Sequence, residues 1–301
     1  MKKTVLPMIC SFTIIMLFII PVCAESSFFV VDLVPYDDPP IPESSCELLL
    51  FPDEDTEQNT PTGETETNTP FLISGNPNTL IYHTHSHEAY RMTSGYEYKE
   101  SSDWRTLDNS KSIVAVGNVL KEEMEKLGFS VIHDETDHEP PKLSTAYERS
   151  EITMKKYLDE NPGLSFFIDL HRDAADVETK SDDFVTIDGR ECARIMFVVG
   201  KGEKYDEKPD FDKHMQIVRL IMDELEGICP GFTRPIHEKT GRYNQHIGDV
   251  CLLIEVGHNA NTLEQAMNSM PYLALAISKV ISPESPYETV LRETLLAYPD
   301  Q

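Results

Sequence analysis

Leu80-Ile81-Tyr82-His83-Thr84-His85-Ser86-His87-Glu88 is the stretch of this 301-residue sequence that decides its fold. Its apolar first part predicts a buried strand, and three histidines and a glutamate follow that strand directly. Residues 166–170 are followed in the same way by His171, and residues 251–254 by Glu255. Ligands in open α/β sheets bind at the carboxyl ends of the strands. Three strands that each end in a histidine or a carboxylate therefore predict one shared metal site.

The remaining elements predict an α/β fold in which helices flank a mainly parallel sheet. Apolar residues three and four positions apart predict helices over residues 110–127, 145–160 and 211–227, with Ser110 as the N-cap of the first. A last helix is expected to open near residue 261. These helices alternate with apolar strands, which is the pattern of βαβ units.

A β-hairpin is predicted in the second half of the chain. Asp188-Gly189 is a favoured type I′ turn, and apolar residues at 184–187 and 193–199 flank it. We expect the hairpin to be inserted into the sheet or added at its edge.

Charge and cysteine content argue against several classes of protein. The formal net charge of -26 disfavours nucleic acid or an anionic membrane surface as the main partner. The six cysteines form no CxxC pair, which argues against a zinc ribbon or a thioredoxin-type redox site. A disulfide between Cys192 and Cys229 is left open by their spacing.

The first 70 residues differ in composition from the rest of the chain. Two lysines, an apolar run and small residues before Glu25 predict that residues 1–24 form a signal peptide or a membrane anchor. Both interpretations place the remainder outside the cytoplasmic membrane. Residues 25–69 lack Lys and Arg and are rich in Asp, Glu, Thr and Pro, which predicts an acidic disordered tether. The folded catalytic domain is expected over residues 70–301.

The residues at the strand ends indicate zinc chemistry. His85 and Glu88 have the spacing H-x-x-E, and His171 supplies a third ligand, which leaves the fourth position of zinc open to water. Glu255 is then the natural base, because the attacking water must give up a proton that the departing amine receives. These four residues predict zinc-assisted hydrolysis of an amide bond. His83 competes with His85 as a ligand, since both lie near the strand end and the pleat decides between them.

Five motifs connect the sequence with a known family. They are Tyr82-His83-Thr84-His85 with Glu88-Ala89-Tyr90, Arg105-Thr106-Leu107-Asp108, Asp169-Leu170-His171-Arg172-Asp173, Tyr243-Asn244-Gln245 and Leu252-Leu253-Ile254-Glu255-Val256-Gly257. Through them the sequence resembles the stage II sporulation protein P family, cell-wall hydrolases of endospore-forming bacteria. That family is similar to zinc-dependent N-acetylmuramoyl-L-alanine amidases, whose E-x-G-x-x-x-N string is matched here by Glu255, Gly257 and Asn261.

The resemblance implies a fold like that of zinc amidases and exopeptidases, with Zn²⁺ as cofactor. It implies cleavage of the amide bond between muramic acid and the first L-alanine of the stem peptide, and of peptide cross-links as a further reaction. The substrate would be septal peptidoglycan during engulfment at the sporulation septum. Stage II sporulation protein D and a membrane scaffold would be the partners, and the protein would be secreted or membrane-anchored.

The resemblance also bears on individual residues. In the amidases the glutamate ligand lies further from the first histidine, which keeps Asp108 as an alternative to Glu88. Asp173 is a candidate to fix the tautomer of a metal-binding histidine. Substrate positioning or support of the ligands is assigned to a set of five residues, namely Arg172, Asp173, Arg105, Tyr243 and Asn244.

Two other functions remain open at this stage. The protein is alternatively a wall-binding module without catalytic activity, recruited through its acidic tether. A zinc carboxypeptidase acting on stem peptides is the other alternative. That activity needs a buried arginine to bind the terminal carboxylate, and Arg172 or Arg149 is available for it.

Overall fold

The computed structural model describes residues 78–174 and 183–281. The predicted targeting segment (residues 1–24), the acidic tether (25–69) and the predicted start of the domain at residue 70 lie outside these residues. Within the two described ranges, no helix has both the length and the apolar composition needed to cross a membrane.

The described residues form ten strands and four α-helices. The strands are β1 (Asn78–Tyr82), β2 (Glu100–Ser102), β3 (Arg105–Thr106), β4 (Ser130–His133), β5 (Leu164–Asp173), β6 (Phe184–Ile187), β7 (Arg190–Ala193), β8 (Ile195–Gly200), β9 (His237–Lys239) and β10 (Val250–His258). The helices are α1 (Ile113–Lys126), α2 (Ala146–Glu160), α3 (Phe211–Ile228) and α4 (Leu263–Ile281). Short 3-10 helices cover Asn109–Lys111 and Leu143–Thr145.

Six strands form the main sheet, in the order β4-β1-β5-β10-β8-β9. The pairs β1–β4, β1–β5, β5–β10 and β8–β9 are parallel, and β8 runs antiparallel to β10. The predicted α/β fold with a mainly parallel sheet is therefore confirmed. The two central strands, β5 and β10, lie side by side over most of their lengths and carry the residues of chemical interest.

Alternate residues of the strands face two different groups of helices. Ile81, Phe166 and Ile168 pack in a large core with residues of α1, α3 and α4. Tyr82 and Phe167 pack in a smaller core with Met154 of α2 and with Cys251. Because side chains alternate along a strand, residue number alone then decides which side of the sheet a side chain faces. We refer to these as the α1 side and the α2 side of the sheet.

The helices begin and end close to the predicted positions, with one correction. Helix α1 is capped by Ser112, whose side chain accepts from Val114 N, so the prediction of Ser110 as the N-cap is wrong. The reason is that Asp108 caps a separate 3-10 turn, Asn109–Lys111, which absorbs Ser110. Capping by the earlier acidic residue displaces the start of the helix by one short turn.

The hairpin is confirmed, but its second strand is shorter than predicted. Asp188 and Gly189 have φ angles of 51° and 74°, as a type I′ turn requires. This two-residue turn pairs Ile187 with Arg190, so the hairpin uses β7 and not residues 193–199. Strands β6 and β7 form a sheet of their own, and β8 joins the main sheet instead.

No disulfide joins the cysteines of the described residues. Cys192 and Cys229 are both buried thiols, so the disulfide that the sequence left open does not form. Cys251 is also free and packs in the smaller core, which agrees with its position in an apolar strand.

Candidate metal and active site

The register of the two central strands brings His171 and Glu255 together. Glu255 is paired with His171 across the β5–β10 ladder, and Leu253 is paired with Asp169. Odd-numbered residues of both strands face the α2 side, as Phe167 does in the smaller core. Asp169, His171 and Glu255 therefore share one face near the carboxyl ends of parallel strands.

The turn after β1 adds His85 and Glu88 to this group. Glu88 is only 8% exposed, and its Oε2 accepts from the backbone N–H of Arg172 at 3.0 Å. The same oxygen lies 3.4 Å from His171 Nδ1. The ring centroids of His85 and His171 are 5.4 Å apart. The structure thus places the three predicted ligands side by side.

The alternative ligands His83 and Asp108 lie elsewhere. His83 falls on the α1 side with Ile81, where its Nδ1 is 2.8 Å from Leu170 O and its Nε2 is 2.8 Å from His133 Nε2. Asp108 is exposed and uses its Oδ1 to cap the 3-10 turn, accepting from Ser110 N at 3.0 Å. Neither side chain contacts His171, so His85 and Glu88 are the members of each pair that reach the site.

Asp169 is a site residue that the sequence reasoning missed. Its Oδ1 lies 2.8 Å from His171 Nε2, and it accepts from Thr84 N at 2.8 Å and Thr84 Oγ1 at 2.7 Å. Asp173, which was expected to support a histidine, binds Arg234 at 2.7 Å instead. A signal existed, because Asp169 is a charged residue inside an apolar strand and stands two positions before His171, on the same face.

The site carries excess negative charge. Burial lowers the pKa of His171, but the carboxylates of Asp169 and Glu88 outweigh it and hold that pKa well above its usual range. Burial raises the pKa of Glu88, but the nearby His171 and Arg172 outweigh it and lower that pKa to about 2. Two ionised carboxylates on either side of one imidazole create a negative potential that favours a cation.

Glu255 is the most perturbed carboxyl group in this region. Burial raises its pKa to about 8; Glu88 and Asp173 add to the rise, and His171 opposes it. Its Oε2 is buried and has no hydrogen-bond partner, and the same holds for His85 Nδ1. Buried polar atoms without partners are rare in folded proteins and concentrate where a ligand or ion completes the site.

The residues fit a zinc ion by their chemistry. Two imidazoles and one carboxylate are a usual zinc ligand set, and the unpartnered His85 Nδ1 is a nitrogen of the kind zinc binds. Among the described residues, however, no three His, Cys, Asp or Glu side chains are gathered closely enough to coordinate a metal ion as they stand. His85, Glu88 and His171 are therefore the residues that could hold the ion, grouped but not converged on one point.

Tyr147 of α2 forms a wall of the site, and no local pattern in the sequence predicts this position. Its ring lies nearly parallel to that of His171, at 13° with centroids 6.5 Å apart, and edge-on to His85 at 5.8 Å. Tyr243 packs edge-on against Tyr147 at 5.4 Å. Asn244 Nδ2 donates to Tyr147 O at 2.9 Å and so fixes the start of α2 beside the loop.

The predicted positioning residues Tyr243 and Asn244 lie in a strained turn. Their φ angles are 49° and 56°, in the left-handed region that side chains other than glycine seldom adopt. Two consecutive residues of this kind turn the loop sharply, which aims Tyr243 at Tyr147 and buries Asn244. Such strain is commonly retained near functional sites.

The predicted arginines are engaged by other groups. Arg172 Nε donates to Ala89 O at 2.9 Å and Nη2 to Trp104 O at 2.8 Å, so this guanidinium fastens the turn after β1 onto β5. Arg149 Nη2 likewise donates to Glu139 O and Lys142 O, at 3.0 and 2.7 Å.

Arg105 forms an ion pair with Glu139, whose other oxygen lies 2.9 Å from His87 Nδ1. Arg172 and Arg149 are thus engaged by backbone carbonyls, and Arg105 is paired with Glu139 through Nη2. Their observed contacts support the loops that carry the site.

Fold and site together define an α/β protein with a histidine–carboxylate centre at the carboxyl ends of parallel strands. Residues 49–278 match the model of the stage II sporulation protein P family. The chain belongs to that family. Stage II sporulation protein P of Bacillus subtilis (strain 168) is 30% identical over 198 residues, which are 62% of this chain and 46% of that relative. The match thus spans less than half of the relative's length.

Two solved structures are similar at a greater distance. One is the CwlD amidase from Clostridioides difficile in complex with the GerS lipoprotein, at a TM-score of 0.42 and 17% identity over 74% of this chain and 100% of that one. The other is the catalytic domain of CwlV, an N-acetylmuramoyl-L-alanine amidase from Bacillus (Paenibacillus) polymyxa var. colistinus. Its TM-score is 0.35, with 11% identity over 74% of this chain and 99% of that one. At these scores the likeness supports no conclusion about the site.

Proposed function

We propose that this protein is a zinc-dependent peptidoglycan hydrolase of sporulation that cleaves the N-acetylmuramoyl-L-alanine amide bond. One observation carries the proposal. Glu255, with an unpartnered oxygen, stands across the β5–β10 ladder from His171, which lies beside Glu88 and His85. Membership of the stage II sporulation protein P family supports both the cell-wall substrate and the sporulation context.

Each residue has a defined task in this proposal. His85, Glu88 and His171 hold Zn²⁺. The bound ion supplies a Lewis acid that polarises the amide carbonyl and acidifies water. Asp169 Oδ1 lies 2.8 Å from His171 Nε2, so its negative charge would favour the ring orientation in which His171 Nδ1 faces Glu88 and is available as a ligand.

Glu255 is the proton carrier of the reaction. Its carboxylate accepts a proton from the water that attacks the amide carbon and delivers that proton to the departing amine nitrogen. Burial raises the pKa of Glu255, and a raised pKa makes its carboxylate a stronger base towards the attacking water. The next turnover then begins with Glu255 ionised again.

The zinc carboxypeptidase alternative is less well supported. Its carboxylate-binding arginine was sought in Arg172 or Arg149, and both donate to backbone carbonyls of neighbouring loops. An amidase that cleaves within a larger substrate does not need an arginine that binds a terminal carboxylate. Cleavage of peptide cross-links is retained as a second reaction of the same site.

The cellular setting is part of the proposal. The protein would act outside the cytoplasmic membrane at the sporulation septum, secreted or anchored through residues 1–24. Stage II sporulation protein D and a membrane scaffold would be its partners. These statements rest on family membership and on the sequence of the first 24 residues.

The decisive experiment compares the full chain with its Glu255→Gln variant on purified sacculi in the presence of zinc. Mass spectrometry of the soluble products should show stem peptides with a free N-terminal alanine for the wild type only. The variant should keep a stoichiometric amount of zinc and still bind sacculi. Intact sacculi after treatment with zinc-loaded wild type would contradict the proposal and favour a wall-binding module. Release of single amino acids would favour the carboxypeptidase.

A further inference from the structure

Two arginines near the end of β5 differ in how many of their N–H groups are used. Arg194 Nε donates to Gly231 O, Nη1 to Asp183 Oδ1 and Nη2 to Thr233 O, each at 2.8 Å. All three nitrogens of this guanidinium are bonded. Each nitrogen thus has an acceptor within the protein, and Arg194 holds β8, Asp183 and the loop after α3 together.

Arg234 lies beside Arg194 but has an unused donor. Its Nη2 donates to Asp173 Oδ2 at 2.7 Å, and its Nε is 4.0 Å from Asp183 Oδ2. Nη1 is buried and has no hydrogen-bond partner. Leaving a donor of a charged group buried without an acceptor costs more than a hydrogen bond normally contributes. The buried Nη1 of Arg234 thus lacks one hydrogen-bond acceptor.

The missing acceptor would lie next to the proposed catalytic carboxylate. Asp173 ends β5 two residues after His171 on the same face, which is about 7 Å along a strand. Its charge contributes to the raised pKa of Glu255. The Arg234 side chain is 12% exposed and that of Asp173 is 24% exposed, so the pair is open to solvent along one edge. A substrate that left Glu255 in the direction of the end of β5 would meet this edge.

We propose that Arg234 binds a carboxylate of the stem peptide, one residue beyond the alanine whose amide bond is cut. The inference rests on the proposed function. A guanidinium presents two parallel N–H groups to a carboxylate, and Asp173 occupies only one of the two terminal nitrogens. Nη1 reaches the ligand when the guanidinium turns about its last torsion, because a single short contact holds it. Asp173 orients the group without neutralising its second donor.

A competing acceptor exists within the chain. Residues 175–182 contain three acidic residues in sequence, Asp176, Glu178 and Asp182. If one of them accepted the hydrogen bond from Nη1, Arg234 would only stabilise the fold, and the carboxylate of the substrate would not affect binding. The experiment must therefore measure how the charge of the substrate changes its affinity.

The test uses a pair of muramoyl peptides that differ in one group. In one peptide the residue after alanine carries a free carboxylate, and in the other it carries the carboxamide. Affinities are measured by calorimetry on the full-length, zinc-loaded Glu255→Gln protein, which is not expected to turn over. We expect the acid to bind about tenfold or more tightly than the amide. Adding Arg234→Gln should abolish that ratio by weakening only the acid.

Arg194→Gln is the matched control, because it removes a neighbouring guanidinium in which every nitrogen already has an acceptor within the protein. It should lower stability and preserve the ratio between acid and amide. Equal binding of both peptides, or an unchanged ratio in Arg234→Gln, would overturn the inference and leave an internal acceptor as the explanation. A ratio that depends on Arg234, found together with a wild type that cleaves neither peptide, would refute the proposed hydrolase and leave the carboxylate subsite standing.

Discussion

His83 and His85 stand two residues apart and belong to two different regions of the molecule. His83 lies on the α1 side, fully buried, with both ring nitrogens engaged by Leu170 O and His133. His85 lies beside His171 on the α2 side, and its buried Nδ1 has no partner. Two identical side chains thus differ in one physical property, the completeness of their hydrogen bonds. The complete set gives His83 a structural role, and the unpartnered nitrogen of His85, which lies beside His171, is available to a ligand of the site.

The largest effect that would test this contrast is expected at Glu255. Glu255→Gln keeps the shape of the side chain and removes its ability to carry a proton, so turnover should fall by about 10²- to 10⁴-fold. Zinc content and the free energy of unfolding should change little. Steady-state rates on a soluble muramoyl peptide, with metal analysis of the same samples, measure both. A variant that turns over normally would remove Glu255 from the mechanism.

The next effect concerns how the α2 side holds its metal. Asp169→Asn removes the carboxylate charge that lies 2.8 Å from His171 Nε2, and loss of such a supporting group typically costs about 10- to 100-fold in metal affinity. Competition with a chelator of known affinity measures the zinc dissociation constant. Asp173→Asn is the matched control on the same strand face, and it should leave zinc affinity unchanged. Equal losses in both variants would mean that general charge, and not the contact with His171, sets the affinity.

A smaller effect is expected on the α1 side, where His83 packs. A Cβ at Gly117 would lie 2.6 Å from His133 Nε2 and 2.8 Å from His83 Nε2, so Gly117→Ala must displace this pair. We expect a loss of about 1–3 kcal/mol in the free energy of unfolding, measured in urea, with zinc affinity retained.

Gly227→Ala in α3 is the control for Gly117→Ala, because a Cβ at Gly227 meets nothing within 4 Å. It should stabilise the protein by up to about 1 kcal/mol through helix propensity. Loss of zinc binding in Gly117→Ala would show that the two sides of the sheet are not independent.

The smallest effect concerns pH and another buried histidine, His214 of α3. Burial lowers its pKa to about 4; Lys213 adds to the shift, and Asp210 and Asp249 oppose it. Its Nε2 accepts from Cys251 N at 3.2 Å, which requires the neutral ring. The unfolded chain takes up the proton first, near pH 6.5, so this histidine costs stability as the pH falls from about 6.5 towards 4.

His214→Gln removes this titration and keeps a side-chain acceptor. Its free energy of unfolding should fall less steeply than that of the wild type over the same window, by up to about 1.4 kcal/mol per pH unit. Urea unfolding at a series of pH values measures both slopes. Identical slopes would mean that folding does not lower the pKa of His214.

The sequence predicts the strands and helices well because each of them depends on the spacing of apolar residues within a short stretch of the chain. Apolar runs ending in charged residues locate β1, β5 and β10, and the spacing of apolar residues locates α2 and α3. The choice between His83 and His85 needs the pleat of β1 and the path of the turn after it. The path of that turn depends on Arg172, which fastens the turn from a distant strand.

Some residues of the site could not be predicted from the sequence for a different reason. Tyr147 lies on α2 and meets His171 only because the helix packs on that side of the sheet, which no short-range pattern encodes. Asp169, in contrast, could have been found, since it is an isolated charge in a buried strand. The unused donor of Arg234 appears only when every partner of the guanidinium is known.

The pairing of Glu255 with His171 across two adjacent parallel strands has a consequence for how the protein can change over evolution. Backbone hydrogen bonds set the spacing of neighbouring strands at about 4.8 Å, so the distance between these two residues is fixed by the ladder. Deleting one residue within β10 before Glu255 would turn its side chain to the opposite face. In the loop of residues 240–248, changes in length are expected to spare Tyr243 and Asn244, whose positive φ angles bring the loop against Tyr147. Insertions and deletions are therefore expected to accumulate outside the two central strands, because these strands set the distance between His171 and Glu255.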